Sequence, residues 1–230
     1  IDAADGCHLW SEQFDREISD IFEIQVEIAR NISQTLKIKL SDKEKLAIKN
    51  APTENIEAYD FYLRGRQFFY RHKRHYMQHA IDMFSRAIEQ DAGYAHAYSG
   101  RADCHSYSYF FFGGSNADLE QAAKDSETAL KLDPRLAEAH AARGLAVSLI
   151  RKYEEAEQAF ENAIELNPNL FEAYYFYAST CFLQGKFDKA IELYKEAGRV
   201  NPEDYQAPAY LAFLYQMIGQ ADKMAPVLQE

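Results

Sequence analysis

The stretch AEAHAARGLAVSLIRKYEEAEQAFENAIELNP, from Ala137 to Pro168, decides the fold. Its apolar residues recur at helical spacing in two blocks, broken at Arg151–Lys152 and stopped at Pro168. Moved forward by 34 residues, the stretch meets itself again: Gly144 falls on Ala178, Tyr153 on Phe187, Ala156 on Ala190, Phe160 on Tyr194, Ala163 on Ala197 and Pro168 on Pro202. A fixed period of paired helices is the signature of a solenoid, in which each pair buries its apolar face only against its neighbours. The expected fold class is therefore all-α, a superhelix of antiparallel helix pairs. Such a chain works through a surface, and its expected activity is binding.

The spacing has a packing reason. Ala156, Phe160 and Ala163 stand at i, i+4 and i+7, one stripe of the second helix, with small residues where backbones approach and a ring between them. Gly144, Ala178 and Ala212 supply the small residue of the first helix, and Asn167-Pro168 and Asn201-Pro202 end each second helix. Working outward, the repeats divide the chain into units 56–92, 93–136, 137–170, 171–204 and a partial unit 205–230. In the first unit Gly65 and Ala80 mark the two helices, with an excess of three residues in RHKRH (71–75). In the second, Gly100 is taken as the small residue. Its distance to Ala122 then exceeds the standard by ten, and the surplus is YSYFFFGGSN (107–116). Pro226 falls where the last second helix should be under way, which places that helix in doubt.

Residues 1–55 read differently. Asp5-Gly6 signals a turn, residues 8–11 a short strand anchored by Trp10, and Ser19 a cap for a helix striped by Ile21, Ile24, Ile28, Ile32, Leu36 and Leu40. Residues 41–55 form a polar linker with a short helix, and Thr53 is placed to cap the first repeat helix. The chain starts in mid-pattern at Ile1, as a piece of something longer would.

A net charge of -11 argues against nucleic acid or an anionic membrane surface as the partner of this region. No apolar run reaches the length of a membrane span, so direct insertion is not expected. Cys7, Cys104 and Cys181 form no CxxC pair, and reduced, buried thiols suit a cytoplasmic setting, or a periplasmic one if a membrane span lies upstream. No phosphate loop, GxSxG elbow or HExxH is present, so the reading is of a non-enzyme that needs no cofactor. His75 and His79 have the spacing of a helical metal pair without further ligands, so no metal is assigned.

A small residue in helix A, then alanine, aromatic and alanine in helix B, then proline, resembles the tetratricopeptide repeat (TPR) family over about three-quarters of the chain. The resemblance implies a right-handed array (a TPR α-solenoid) whose concave face, lined by helix A, binds a peptide or partner domain. It implies that face for Tyr59, Tyr62, Arg66, Phe69, Tyr94, Tyr98, Arg101, Tyr175, Phe182 and Phe213. The chaperone-type carboxylate clamp of that family is absent, since Tyr62, Arg66, Tyr98, Glu138 and Ala142 stand at its positions. The aromatic run Tyr107, Tyr109, Phe110, Phe111 and Phe112 offers two readings, a ledge for a partner or second copy, or a flap folded over its own groove. Residues 1–40, and the join NAPTENIEAYDFYLRGR, are similar to the end of a TolB-like domain in bacterial multidomain regulators. There such a domain stands between an output module (adenylate cyclase, protein kinase or winged-helix DNA binder) and a repeat array. The implied role is a sensory, signal-transducing scaffold with a protein or peptide partner. The alternative is a homo-oligomerisation module that brings upstream output domains together.

Overall fold

The computed structural model describes residues 24–28, 31–32 and 52–224, and divides the chain into two compact units, Ile1–Ile56 and Glu57–Glu230. In the first, residues 24–28 and 31–32 are helical, with Ile24 and Ile28 half-buried and Ile32 exposed. The expected turn, strand, Trp10 anchor, Ser19 cap and short helix before residue 51 lie outside the described residues, as do Cys7 and Pro226.

In the second unit, helices alternate in antiparallel pairs: α1 (Ile56–Phe69) with α2 (Arg74–Gln90), α3 (Ala95–Phe112) with α4 (Asn116–Leu132), α5 (Ala137–Leu149) with α6 (Tyr153–Leu166), and α7 (Phe171–Leu183) with α8 (Phe187–Val200). Helix α9 (Gln206–Met217) and a 3₁₀ turn (Ala221–Lys223) open a fifth pair. No strand occurs among the described residues. First helices of the middle pairs also touch one another in succession, α3 on α5 and α5 on α7, and so line one inner side. The architecture is the all-α array of stacked helix pairs expected from the period.

Each seam follows from local chemistry. The Phe84 ring is fully buried against α1 and α3, and a Cβ at either Gly65 or Gly100 would come within 2.6 Å of it. Gly144 stands in the same relation to Phe160, at 2.7 Å. Alanines 80, 87, 122, 129, 156, 163, 190 and 197 are wholly buried, letting the second helices approach closely. The second helices of the first three pairs end in an Asx turn: Asp91, Asp133 and Asn167 accept the backbone N–H two residues on, at 2.8, 2.9 and 3.0 Å. Within the pairs the turn needs a left-handed residue. Gly185 supplies it at φ 73°, whereas His72 (φ 48°) and Arg151 (φ 62°) take that conformation with a side chain attached. Upstream of α1, the Asn55 N–H donates to Thr53 Oγ1 at 3.1 Å, a local turn before the helix rather than the helix cap expected of Thr53.

The second pair corrects one expectation. The residue equivalent to Gly144 is Ala102, not Gly100: Asp91, Tyr94 and Arg101 of α3's approach correspond to Asp133, Leu136 and Arg143 of α5's. Both Arg101 and Arg143 accordingly reach back to a carboxylate of their own second helix, Asp125 and Glu155. Measured from Ala102, the insertion is eight residues rather than ten. Gly100 is glycine for a different reason, because it lies against the far side of the Phe84 ring.

Candidate functional site

With the register corrected, each first helix presents four inner positions. Those of α1 are Tyr59, Tyr62, Arg66 and Phe69; those of α3 are His96, Ser99, Asp103 and Ser106. Glu138, Ala141, Leu145 and Ser148 follow on α5, and Glu172, Tyr175, Ser179 and Phe182 on α7. Side chains from different pairs meet across this inner face, hereafter the inner channel. Arg66, from the first pair, donates to Glu172 Oε1 of the fourth pair at 2.8 Å, and its guanidinium lies 4.7 Å from the centre of the Tyr70 ring. The Tyr70 hydroxyl donates to the same Glu172 oxygen at 3.0 Å, and Arg66 also contacts that hydroxyl. Two pairs that are not neighbours in the chain are thereby tied across the inner face.

The second crossing uses the insertion. Helix α3 runs on through Phe112, and the Tyr107 hydroxyl donates to Gln206 Oε1 of α9 at 2.9 Å, an oxygen also reached by Tyr175 at 3.3 Å. Tyr107 packs on Phe111 (ring centres 4.3 Å apart) and on His72 (5.2 Å), and Phe111 reaches Tyr210 at 6.4 Å. Arg74 holds the end of the run through the Phe112 carbonyl. The aromatic run therefore closes over the inner side of its own array. Tyr107 is buried, and Tyr109, Phe110, Phe111 and Phe112 are half-buried.

The electrostatics of the channel are uneven. Asp103 is only 4% exposed, and burial, reinforced by Glu172 and Glu138 and opposed by Arg66, pushes its carboxyl well above the usual range. Burial likewise pushes Tyr62 up to about 12, with Arg66 opposing and Glu138, Glu172 and Asp103 adding. His96 is driven down by burial against the pull of Glu138 and Asp133, so its imidazole is held toward the neutral form. Burial pulls the Arg66 guanidinium down, but Glu172, Tyr62, Asp103 and Glu138 more than offset that and hold it above its ordinary value, so its charge is secured. Three polar atoms of the inner face, Asp103 Oδ1, Ser106 Oγ and Gln206 Nε2, are buried without a hydrogen-bond partner among the described residues. Unsatisfied buried polar atoms are rare in folded proteins and cost about 1–3 kcal/mol each.

Of the residues expected on the concave face, Tyr59, Tyr62, Arg66, Phe69, Tyr175, Phe182 and Phe213 stand at inner positions. Phe69 and Tyr175 are buried there, and Phe213 is 46% exposed. Tyr94, Tyr98 and Arg101 do not join them. Tyr94 is fully buried in the wall between α1 and α3 with Ala58, Ala87 and Ala97, and Tyr98 packs on the seam toward α4 and α5. Arg101 forms a two-pronged pair with Asp125, Nε to Oδ2 at 2.7 Å and Nη2 to Oδ1 at 2.8 Å, and adds Ser85 at 3.1 Å. Their place is taken by His96, Asp103 and Ser106, which the two-residue slip had hidden. The recurring Asp-x-x-Tyr/Leu lead into the helix, Asp91 to Tyr94 and Asp133 to Leu136, carries the signal that finds them.

Known proteins bear on this geometry at two levels. A family model described as tetratricopeptide repeat matches residues 151–207. The crystal structure of TTC0263, a thermophilic TPR protein in Thermus thermophilus, superposes with a TM-score of 0.54 at 18% identity, covering 87% of this chain and 100% of that one. The fold is that of a tetratricopeptide-repeat array. The crystal structure of MamA is more distant, at a TM-score of 0.48 and 22% identity over 68% of this chain and 86% of that one. A protein of Rhizobium meliloti (strain 1021) named "Putative adenylate cyclase 3" is 33% identical over 159 residues, 68% of this chain. The chain spans 27% of that relative's length. No helix among the described residues is long and apolar enough to cross a membrane.

Proposed function

We propose that the array is a protein-interaction module that receives a segment of a partner on its inner, helix A face. One observation carries this reading: charged and polar side chains from four different pairs are desolvated together on that face, and Asp103 Oδ1, Ser106 Oγ and Gln206 Nε2 are left without partners among the described residues. A face built only for packing would be apolar, because buried polar groups with nothing to bond are expensive. The Arg66–Glu172 and Tyr107–Gln206 crossings act as ties that a partner replaces as it enters. The likeness to the Rhizobium meliloti protein supports a setting in a longer bacterial regulator, where the array forms the sensory arm beside a TolB-like segment and an output domain. The array itself carries no chemistry in this reading and needs no cofactor. Its free, buried Cys104 and Cys181 suit the cytoplasm.

Photo-crosslinking tests it. Benzoylphenylalanine replaces Tyr70 or Phe213 on the inner side, and Lys124 or Glu192 on exposed second-helix positions. A discrete adduct from Tyr70 and Phe213, absent from Lys124 and Glu192, is expected. The same adduct from the second-helix positions, with none from the inner ones, overturns the reading.

A second reading, self-association, rests on a different observation. Tyr205, Phe213 and Met217 on and beside α9 are 71%, 46% and 50% exposed, and Leu183 of α7 is 45% exposed. A second copy covering these residues would bring output domains together. Light scattering across a concentration series decides it, because a strict monomer at high concentration removes this reading while leaving the first.

A further inference from the structure

The geometry points to a ligand chemistry for the inner channel: it is built to take the guanidinium of an arginine from a partner segment, with Asp103 as the anchoring acceptor and Glu138 and Glu172 beside it. This rests on the interaction reading above and gives it a specific ligand.

The channel already holds one guanidinium and shows how it does so. Arg66 lies 4.7 Å from the centre of the Tyr70 ring and donates to Glu172 at 2.8 Å, a ring face plus a carboxylate, which is the pairing a planar cation prefers. That pair uses one carboxylate of three. Asp103 and Glu138 stand close enough to act on Arg66 and Tyr62, yet neither is bonded to Arg66. Asp103 Oδ1 is buried with no donor among the described residues, and one turn further along α3 Ser106 Oγ, wholly buried, is in the same state. Those two atoms can meet the edge of an incoming fork of N–H groups. The Tyr62 ring, 5.9 Å from that of His96 and close enough to Asp103 to feel its charge, offers a face to a flat cation.

Charge selects among ligands. Asp103 and Glu138 share the face with the Arg66–Glu172 pair without a cation of their own, so a cationic side chain is favoured there and an anionic segment is not. An apolar side chain would leave Asp103 and Ser106 as unsatisfied as before. Arginine is favoured over lysine because two acceptors and adjacent rings reward a planar fork rather than a point charge. Entry is from the side of Tyr59, His96 and Glu138, which are half-buried, rather than through the closed Tyr107 crossing.

The ligand should act on the ionisation of its acceptor. The charged and titratable groups that act on Asp103 or feel it are Tyr62 and Arg66 on α1, Cys104 on α3, Glu138 on α5 and Glu172 on α7. A cation set against Asp103 opposes the effect of burial and draws its carboxyl back down.

The test uses the 230-residue chain and dodecapeptide pools with randomised flanks and a fixed central arginine, citrulline or glutamate. Citrulline keeps the shape of arginine and removes its charge. Retention of the arginine pool over the citrulline pool by about tenfold or more is expected, with glutamate lowest. Asp103→Asn, which keeps the size of a buried group, should bring arginine down to the citrulline level, whereas Glu192→Gln, an exposed carboxylate on α8, should leave the preference intact. A clone selected from the arginine pool should lower the midpoint of the Asp103 carboxyl, read by carboxyl NMR with and without the peptide. Circular dichroism of Asp103→Asn confirms that it is folded; if it is not, Ser106→Ala and Glu138→Gln take its place. Equal retention of the arginine and citrulline pools, or a preference that survives in every channel variant, overturns the assignment. The inner-face crosslinks would stand in that event, so failure of the ligand chemistry is separable from failure of the site.

Discussion

Removing Arg101 should damage the fold rather than binding, and the size of the damage is set by Asp125. That carboxylate is 1% exposed, and both of its oxygens accept from Arg101, at 2.7 and 2.8 Å. In Arg101→Ala a single donor remains, Gln121 Nε2 at 2.9 Å, against a buried charge. Breaking a buried pair from one side typically costs about 3–5 kcal/mol, well beyond the value of an exposed salt bridge. With a urea dependence of about 2 kcal/mol per molar, the midpoint of unfolding should fall by about 1.5–2.5 M, read from the helical circular dichroism signal. Because repeat arrays open unit by unit, hydrogen exchange should rise first in α3 and α4. Arg101→Ala/Asp125→Ala should recover much of the loss, since no lone charge remains. A single-mutant loss under about 1 kcal/mol, with partner binding abolished, would refute this account and return Arg101 to the binding face.

Three further outcomes follow from the packing and the charges. Gly65→Ala, Gly100→Ala and Gly144→Ala each force a methyl against a buried ring and should lose about 1–3 kcal/mol, whereas Gly198→Ala, with nothing within 4 Å, should gain about 0.5–1 kcal/mol in the same urea assay. Arg151→Gly relieves a left-handed residue at φ 62° and should be stabilising by a few tenths to about 1 kcal/mol, against no gain if that turn is unstrained. Burial opposes ionisation of Glu157, but Lys186, Lys189 and Gln184 outweigh it and hold its carboxyl at about 2, so carboxyl NMR should show that midpoint. Its stabilising effect is full above the ordinary carboxylate range of about 4.3 and is lost as pH falls toward 2; Lys186→Ala/Lys189→Ala should move the midpoint back up.

Most of the fold was legible because it is written redundantly. Ala156, Phe160 and Ala163 repeat their pattern at Ala190, Tyr194 and Ala197, and an error at one position is outvoted by the others. The site was less legible because it depends on phase. Gly65 and Gly100 looked like equivalents, but one packs on Phe84 from its own pair and the other from the next. A slip of two residues is about 200° around a helix, enough to exchange the inner face for the seam. It replaced His96 and Asp103 with Tyr94 and Arg101. The left-handed His72 and Arg151 were also out of reach, since neither residue type announces that conformation.

The crossings were invisible for a further reason: they join residues about a hundred positions apart, Arg66 to Glu172 and Tyr107 to Gln206. No periodicity encodes them, because they depend on how far the superhelix has turned after three pairs. They also change what the inner face is. An open groove would present its charges to water at little cost, but a channel closed by its own side chains desolvates them, and it is desolvation that raises Asp103 and isolates its free oxygen. The insertion that lengthens α3 is thus coupled to the charge cluster without touching it. Shortening that helix should admit water, bring Asp103 back toward an ordinary carboxylate and weaken discrimination between arginine and citrulline together. A loss of one without the other would mean that the lid and the anchor are independent.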